Sequence, residues 1–245
     1  MYPKIKFKIS PTKDINTFFN FNSEAEYDQG RTVNWAILDL YPEFKKYQKG
    51  YLLEVNKKEV QEFVKKAYQK REKEIKENLL LYKENWEEIE KDYFGLVDQL
   101  FKQKYWPKGK YCCYPTIWGV FPRFIEDSTF QIPAYKHKNI KYINVVVAHE
   151  MLHFVFYNYF LTKYPKYKSE KYNFFVWRIS EIFNTIVQNS KKWLNVFKIE
   201  SMGYPEHEKI VKELQNEFNE SKLNTKELID KIITLVERDN LCPIN

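Results

Sequence analysis

A chain of 245 residues with 44% hydrophobic and 30% charged residues has apolar material for a substantial core, and no long stretch pairs low hydrophobicity with high net charge, which excludes a disordered class. Its formal charge of +7 and pI near 9.0 would suit a polyanionic partner, but Lys is spread along the whole chain together with Glu. That pattern describes a solvated mixed-charge surface and argues against nucleic acid as the main partner.

The N-terminal segment MYPKIKFKIS alternates Lys with Ile5, Phe7 and Ile9 and predicts a half-buried strand over 4–10, not a secretory signal. An aromatic and Asn-rich connection follows, then an apolar segment over 33–47 that predicts a helix. Over 57–103 the apolar positions, among them Val60, Val64, Ile75, Leu79, Trp86, Tyr93 and Val97, keep near-helical spacing. Two helices or one long, bent helix fit it, either as a coiled coil or packed on the core. After Trp106-Pro107-Lys108-Gly109, β-branched and aromatic runs at 111–121 and 128–133, separated by Glu126-Asp127, predict a β-hairpin. An apolar helix, a polar loop with Pro165, a second apolar helix over 172–188 and amphipathic helices near 206–219 and 225–238 complete the chain. Asn224 with Glu227 three residues later predicts a capping box for the last.

The most apolar window, 143–161, approaches the length of a membrane span but carries Glu150 and two His at its middle, so a buried central helix is expected instead. The three Cys are the adjacent Cys112 and Cys113 and the distant Cys242, with neither an even framework nor a C-x-x-C spacing. Together with the missing signal and span, this leads to an expected cytoplasmic location. Oligomeric state is not legible.

The segment that carries chemistry is HEMLH, 149–153. On a helix, residues four apart share a face, so His149 and His153 can bind one metal ion, and Glu150 lies beside it. Two nitrogen ligands and a carboxylate base are the needs of metal-assisted hydrolysis, with Zn2+ as the expected metal. Val145, Val146, Val147 and Ala148 before the motif and Phe154, Val155 and Phe156 after it bury the polar triplet, where unpaired His and Glu would be costly. A third protein ligand is required, and Glu181 is the choice. It sits among Phe175, Ile179, Ile182, Phe183 and Ile186, where a carboxylate needs a cation, with Arg178 one turn earlier as the competing partner. Glu206, His207 and Glu208 form the reserve set.

With these residues the chain resembles the gluzincin branch of zincin metallopeptidases, in which HExxH on one helix is completed by a Glu on the next. The resemblance covers roughly residues 111–190. It implies His149, His153 and Glu181 as zinc ligands, Glu150 as general base and acid, and a peptide or protein substrate. The implied fold is α+β and mostly helical, with a small mixed β-sheet packed on the HExxH helix. One domain over 1–245 is expected, with a catalytic core at about 111–190 and helical additions at 33–103 and 206–238. By the same analogy Thr116, Ile117, Trp118, Gly119, Val120 and Phe121 would form the edge strand that pairs with an extended peptide. The interval from His153 to Glu181 is longer than in thermolysin-like members, and no acidic residue follows Glu181 by one turn, which leaves Asn184 or Thr185 to orient a ligand His. Metzincins would need Gly at position 156 and His at 159, where this chain has Phe156 and Tyr159.

A donor to a developing oxyanion could come from Tyr157, Arg178, Tyr204 or His207,. Cys242 could act as an inhibitory thiolate or anchor the tail as a small hydrophobe. Competing readings are a non-catalytic zincin scaffold that binds peptides or a partner, and a nucleic-acid-associated protein.

Overall fold

The computed structural model of the chain describes residues 2–22, 26–28, 31–101 and 105–239. The elements run β1 (Ile5–Phe7), α1 (Pro11–Phe21), β2 (Glu26–Asp28), β3 (Arg31–Thr32), α2 (Val33–Leu40), β4 (Gln48–Lys49), β5 (Leu52–Leu53), α3 (Lys57–Lys70), α4 (Glu72–Phe101), β6 (Tyr111–Thr116), β7 (Arg123–Phe124), β8 (Thr129–Pro133), α5 (Ile140–Lys163), α6 (Asn173–Gln188), α7 (Lys191–Phe197), α8 (Glu208–Asn219) and α9 (Thr225–Arg238). The chain is thus mostly helical with a small mixed sheet. None of the described helices is long and apolar enough to cross a membrane.

Local chemistry accounts for many boundaries. Asn56 caps α3 through the Glu59 amide at 2.9 Å, and Arg71, at φ −123° and ψ 24°, breaks the 57–103 region into two helices. The reciprocal capping box of Asn224 and Glu227 opens α9,. Helix α1 escapes the sequence pattern because its Asn-rich polar face masks the period. Its signals are Ser10 before Pro11 at the first helical position and the i, i+3, i+4 set of Asp14, Thr17 and Phe18, all buried,. The expected helix over 33–47 ends at Leu40, and Pro42–Tyr47 continues as a 3-10 turn.

The four-stranded sheet has the order β1-β6-β8-β7. The expected hairpin of 111–121 with 128–133 does not form, because β6 pairs β8 in parallel, with Cys112 opposite Thr129 and Thr116 opposite Pro133. A parallel pair needs a connection of about a dozen residues or more, and 117–128 supply it. The short β7 returns antiparallel along β8. Strand β6 is central, flanked by β1 and β8, and both Cys112 and Cys113 are buried, as in a strand covered on both faces.

The chain divides into two compact units. One comprises Lys4–Asn85 and Lys110–Ile143, and the other Met1–Pro3, Trp86–Gly109 and Asn144–Asn245. The expected core of 111–190 is shared between them.

In the sheet-bearing unit the core centres on Trp118, whose ring lies 5.2 Å from Phe18 and 5.7 Å from Phe63. This overturns the edge-strand expectation. Of the segment from 116 to 121 only Thr116 is in a strand, the central β6, and Ile117 and Trp118 are core residues at 1% and 0% exposure. Gly119 turns the chain at φ +74°, where a Cβ would meet Leu40 at 2.7 Å, and Val120 and Phe121 follow outside any strand. A fully buried carboxylate holds this corner. Asp14 accepts from Tyr68 Oη at 2.8 Å, the Ile117 amide at 3.0 Å and Gln131 Nε2 at 3.0 Å, and its carbonyl accepts from Trp118 Nε1 at 2.8 Å.

In the other unit α6 packs against α7, α8 and α9. Its stretch from Phe175 to Gln188 is buried apart from Trp177, including a polar stripe of Glu181, Asn184, Thr185 and Gln188 at helical spacing,. Phe156 of α5 meets Phe183 of α6 at 5.0 Å between ring centres.

Burial raises the Asp14 carboxyl to about 6 against its hydrogen bonds, which lower it. A folded-state value above the unfolded one adds stability that is complete below the unfolded value and is lost as pH rises through about 6. Comparing urea unfolding of wild type and Asp14→Asn at pH 4.5 and 7.5, the wild type is expected to lose roughly 2 kcal/mol more than the variant over this interval. Parallel pH profiles for the two chains would refute it.

Candidate metal centre

Two helices build the centre. His149 and His153 stand one turn apart on α5, and Glu181 lies in the middle of α6, all within the helical unit. His149 Nε2 is 3.0 Å from Glu181 Oε2 and 3.0 Å from His153 Nε2, and His153 Nε2 is 3.4 Å from Glu181 Oε1. Among the described residues this is the group of His, Cys, Asp or Glu side chains whose ligand atoms converge as a metal ion requires.

The hydrogen bonds around His149 fix its tautomer. Gln188 Nε2 donates to the Val145 carbonyl at 3.0 Å, so its Oε1 is turned to accept, from Ser201 Oγ at 3.0 Å and from His149 Nδ1 at 2.8 Å. With its proton on Nδ1, a neutral His149 presents a lone pair at Nε2, toward a carboxylate that has only lone pairs to offer. Burial disfavours a charged imidazole there. The hydrogen bond and charge of Glu181, the charge of Glu150 and the Gln188 hydrogen bond outweigh it and hold the His149 pKa above its ordinary value. The centre therefore attracts positive charge, as a proton or as a metal.

The spacing leaves room for a metal ion. With one ligand atom taken from each of His149, His153 and Glu181, the three atoms lie within 4.8 Å of one another, close enough to share one ion. Burial is deep, with His153 at 0% and Glu181 at 3% exposure, and His149 provides the partly open side. Glu150 is 6% exposed, close enough for its charge to act on His149.

The outer residues differ from expectation. Asn184 Nδ2 donates to the His149 carbonyl at 3.3 Å and Thr185 Oγ1 to the Glu181 carbonyl at 2.9 Å, so both serve the backbone while Gln188 orients the ligand. Its signal was its position seven residues after Glu181, two turns along the same helix face. The Arg178 guanidinium lies over Phe174, 5.1 Å from the ring centre, while Glu181 faces the two imidazoles. Tyr157 packs one turn beyond His153 at 6.2 Å between rings. His207 is fully buried against Tyr204, at 5.4 Å, and Trp177, at 6.1 Å. Neither of its ring nitrogens has a hydrogen-bond partner among the described residues. Burial and the Arg178 charge, against an opposing effect from Glu181, push its pKa down to about 4, so it is neutral near pH 7. Cys242 lies outside the described residues.

No protein-family model, curated protein or solved structure matches this chain, so the reading of the centre rests on its own geometry and donor chemistry.

Zinc added to the metal-free chain is expected to bind one ion per chain, and His149→Ala and Glu181→Ala to abolish binding. Gln188→Leu should weaken it by about 10–100-fold, measured by competition with a chromophoric chelator on variants shown to be folded by circular dichroism. Zinc retained by Glu181→Ala but lost by His149→Ala would remove Glu181 from the ligand set.

Proposed function

We propose that the chain is a zinc-dependent peptidase, with His149, His153 and Glu181 as metal ligands and Glu150 as the group that takes and returns the proton. The observation that carries this reading is the convergence of two imidazole nitrogens and the two oxygens of one carboxylate at 3.0–3.4 Å, with a second buried carboxylate, Glu150, next in sequence to the first His. A zinc ion held there would supply Lewis-acid polarisation of a carbonyl and lower the pKa of water to about 7. Glu150, on the HExxH helix beside the ligands, takes a proton from the attacking water and passes it to the leaving amine. His207, neutral near pH 7, offers an N–H to the oxygen on which charge develops. Peptide bonds as substrate follow from the resemblance to the gluzincin pattern, since the ligand set by itself defines a metal hydrolase.

Burial favours a second reading, in which the metal is structural and ties α5 to α6. The two readings separate in one set of measurements. Under the first, the zinc-loaded chain cleaves members of an unbiased peptide library. Glu150→Gln keeps its zinc and loses about 10²–10⁴-fold in kcat. Under the second, no peptide is cut, Glu150→Gln is indistinguishable from wild type, and chelation lowers the thermal unfolding midpoint. Full zinc content without cleavage of any peptide would end the peptidase reading.

A further inference from the structure

A second site lies in the helical unit, apart from the metal ligands. A cavity of about 580 Å³ opens between the end of α4, the end of α5, the start of α7 and the turn joining α8 to α9. Its volume falls within the roughly 300–1,000 Å³ of small-molecule sites, and none of His149, Glu150, His153, Glu181 or His207 lines it.

The lining has one sign of charge. Lys163, Lys191, Lys192 and Lys226 contribute to it, and no Asp or Glu is among its described lining residues. Two of these ammonium groups are held in place, Lys192 by Gln99 Oε1 at 3.0 Å and Lys226 by Asp230 at 2.6 Å. The charge of Glu220 acts on Lys191 from outside the lining. Asp230 neutralises Lys226, but Lys163, Lys191 and Lys192, from two separate segments, leave the concavity positive, and a multivalent anion relieves their repulsion where a monovalent one would leave most of it.

The lining also carries aromatic rings. Tyr105 meets Tyr159 at 4.8 Å and Phe101 meets Tyr159 at 5.1 Å between ring centres, and Phe218 and Tyr105 are only half-buried. Half-buried rings beside clustered lysines combine a stacking surface for a base with charge partners for phosphates. We propose that this cavity binds a nucleoside di- or triphosphate, its phosphates among the lysines and its base against the Tyr105 side.

The test uses the full chain freed of metal, so that chelation of zinc by the nucleotide contributes nothing, and is independent of the peptidase reading. Calorimetric titration compares ATP, inorganic tripolyphosphate and adenosine. ATP is expected to bind one per chain, about tenfold or more tighter than either fragment, and to weaken as salt rises. Lys191→Ala with Lys192→Ala should weaken ATP by about tenfold or more, and the corresponding double Arg variant should restore it. Tyr105→Leu should weaken ATP while leaving tripolyphosphate unchanged. All these side chains are at least partly exposed, and unchanged thermal unfolding checks that each variant is folded. No ATP binding by the folded wild type, equal binding of ATP and tripolyphosphate, or ATP binding indifferent to loss of the two lysines would each overturn the proposal.

Discussion

A carboxylate buried in an apolar environment must be met by a positive charge or by hydrogen-bond donors, and the pairing of α5 with α6 follows from how that need is met at Glu181. An isolated ion there would cost several kcal/mol, and α6 surrounds it with Ile179, Ile182 and Phe183, all at 0% exposure. From α5 two imidazoles reach the carboxylate at 3.0 and 3.4 Å, and a proton or a metal ion bound between them would supply that charge. Because those imidazoles sit one turn apart, the register of α5 against α6 is fixed, and Asn184 and Gln188 reinforce it by bonding the His149 and Val145 carbonyls. Packing and chemistry thus constrain the same pair of helices.

Asp14 in the other unit shows the contrasting solution. Among the described residues its fully buried carboxylate meets neutral donors, Thr116, Tyr68, Gln131 and the Ile117 amide. Neutral donors cannot offset desolvation fully, so its pKa rises, whereas the partners of Glu181 are groups that themselves bind a proton or a metal. Asp14 is a structural clamp that shapes the corner at Ile117 and Trp118. Glu181 is held in a centre whose lone pairs call for a cation. The distinction lies in the partners, since the burial is alike.

The sheet shows why a local pattern can mislead. Runs at 111–121 and 128–133 with Glu126-Asp127 between them satisfy the signals of a hairpin, but those signals do not encode strand direction. Trp118 decides the matter. Its burial among Phe18, Phe44 and Phe63 draws the chain away from the sheet after Thr116, and 117–128 become a crossover to a parallel strand. Ile117 and Trp118, which would have offered part of a free edge to a peptide, are spent on the core.

From sequence alone, the i, i+4 pair of His149 and His153, the adjacent Glu150 and the burial of their helix were legible, because helical periodicity and apolar flanks are local properties. Glu181 was legible too, since a lone carboxylate within an apolar helix declares an unmet charge. The capping box of α9 and the mainly helical character were readable for the same local reason. Tertiary structure alone decided the parallel sheet, the role of Gln188 in setting the His149 tautomer, the isolation of His207 and the lysine-lined cavity. Each of these depends on which residues distant in sequence share a neighbourhood, and spacing along a chain carries no measure of that.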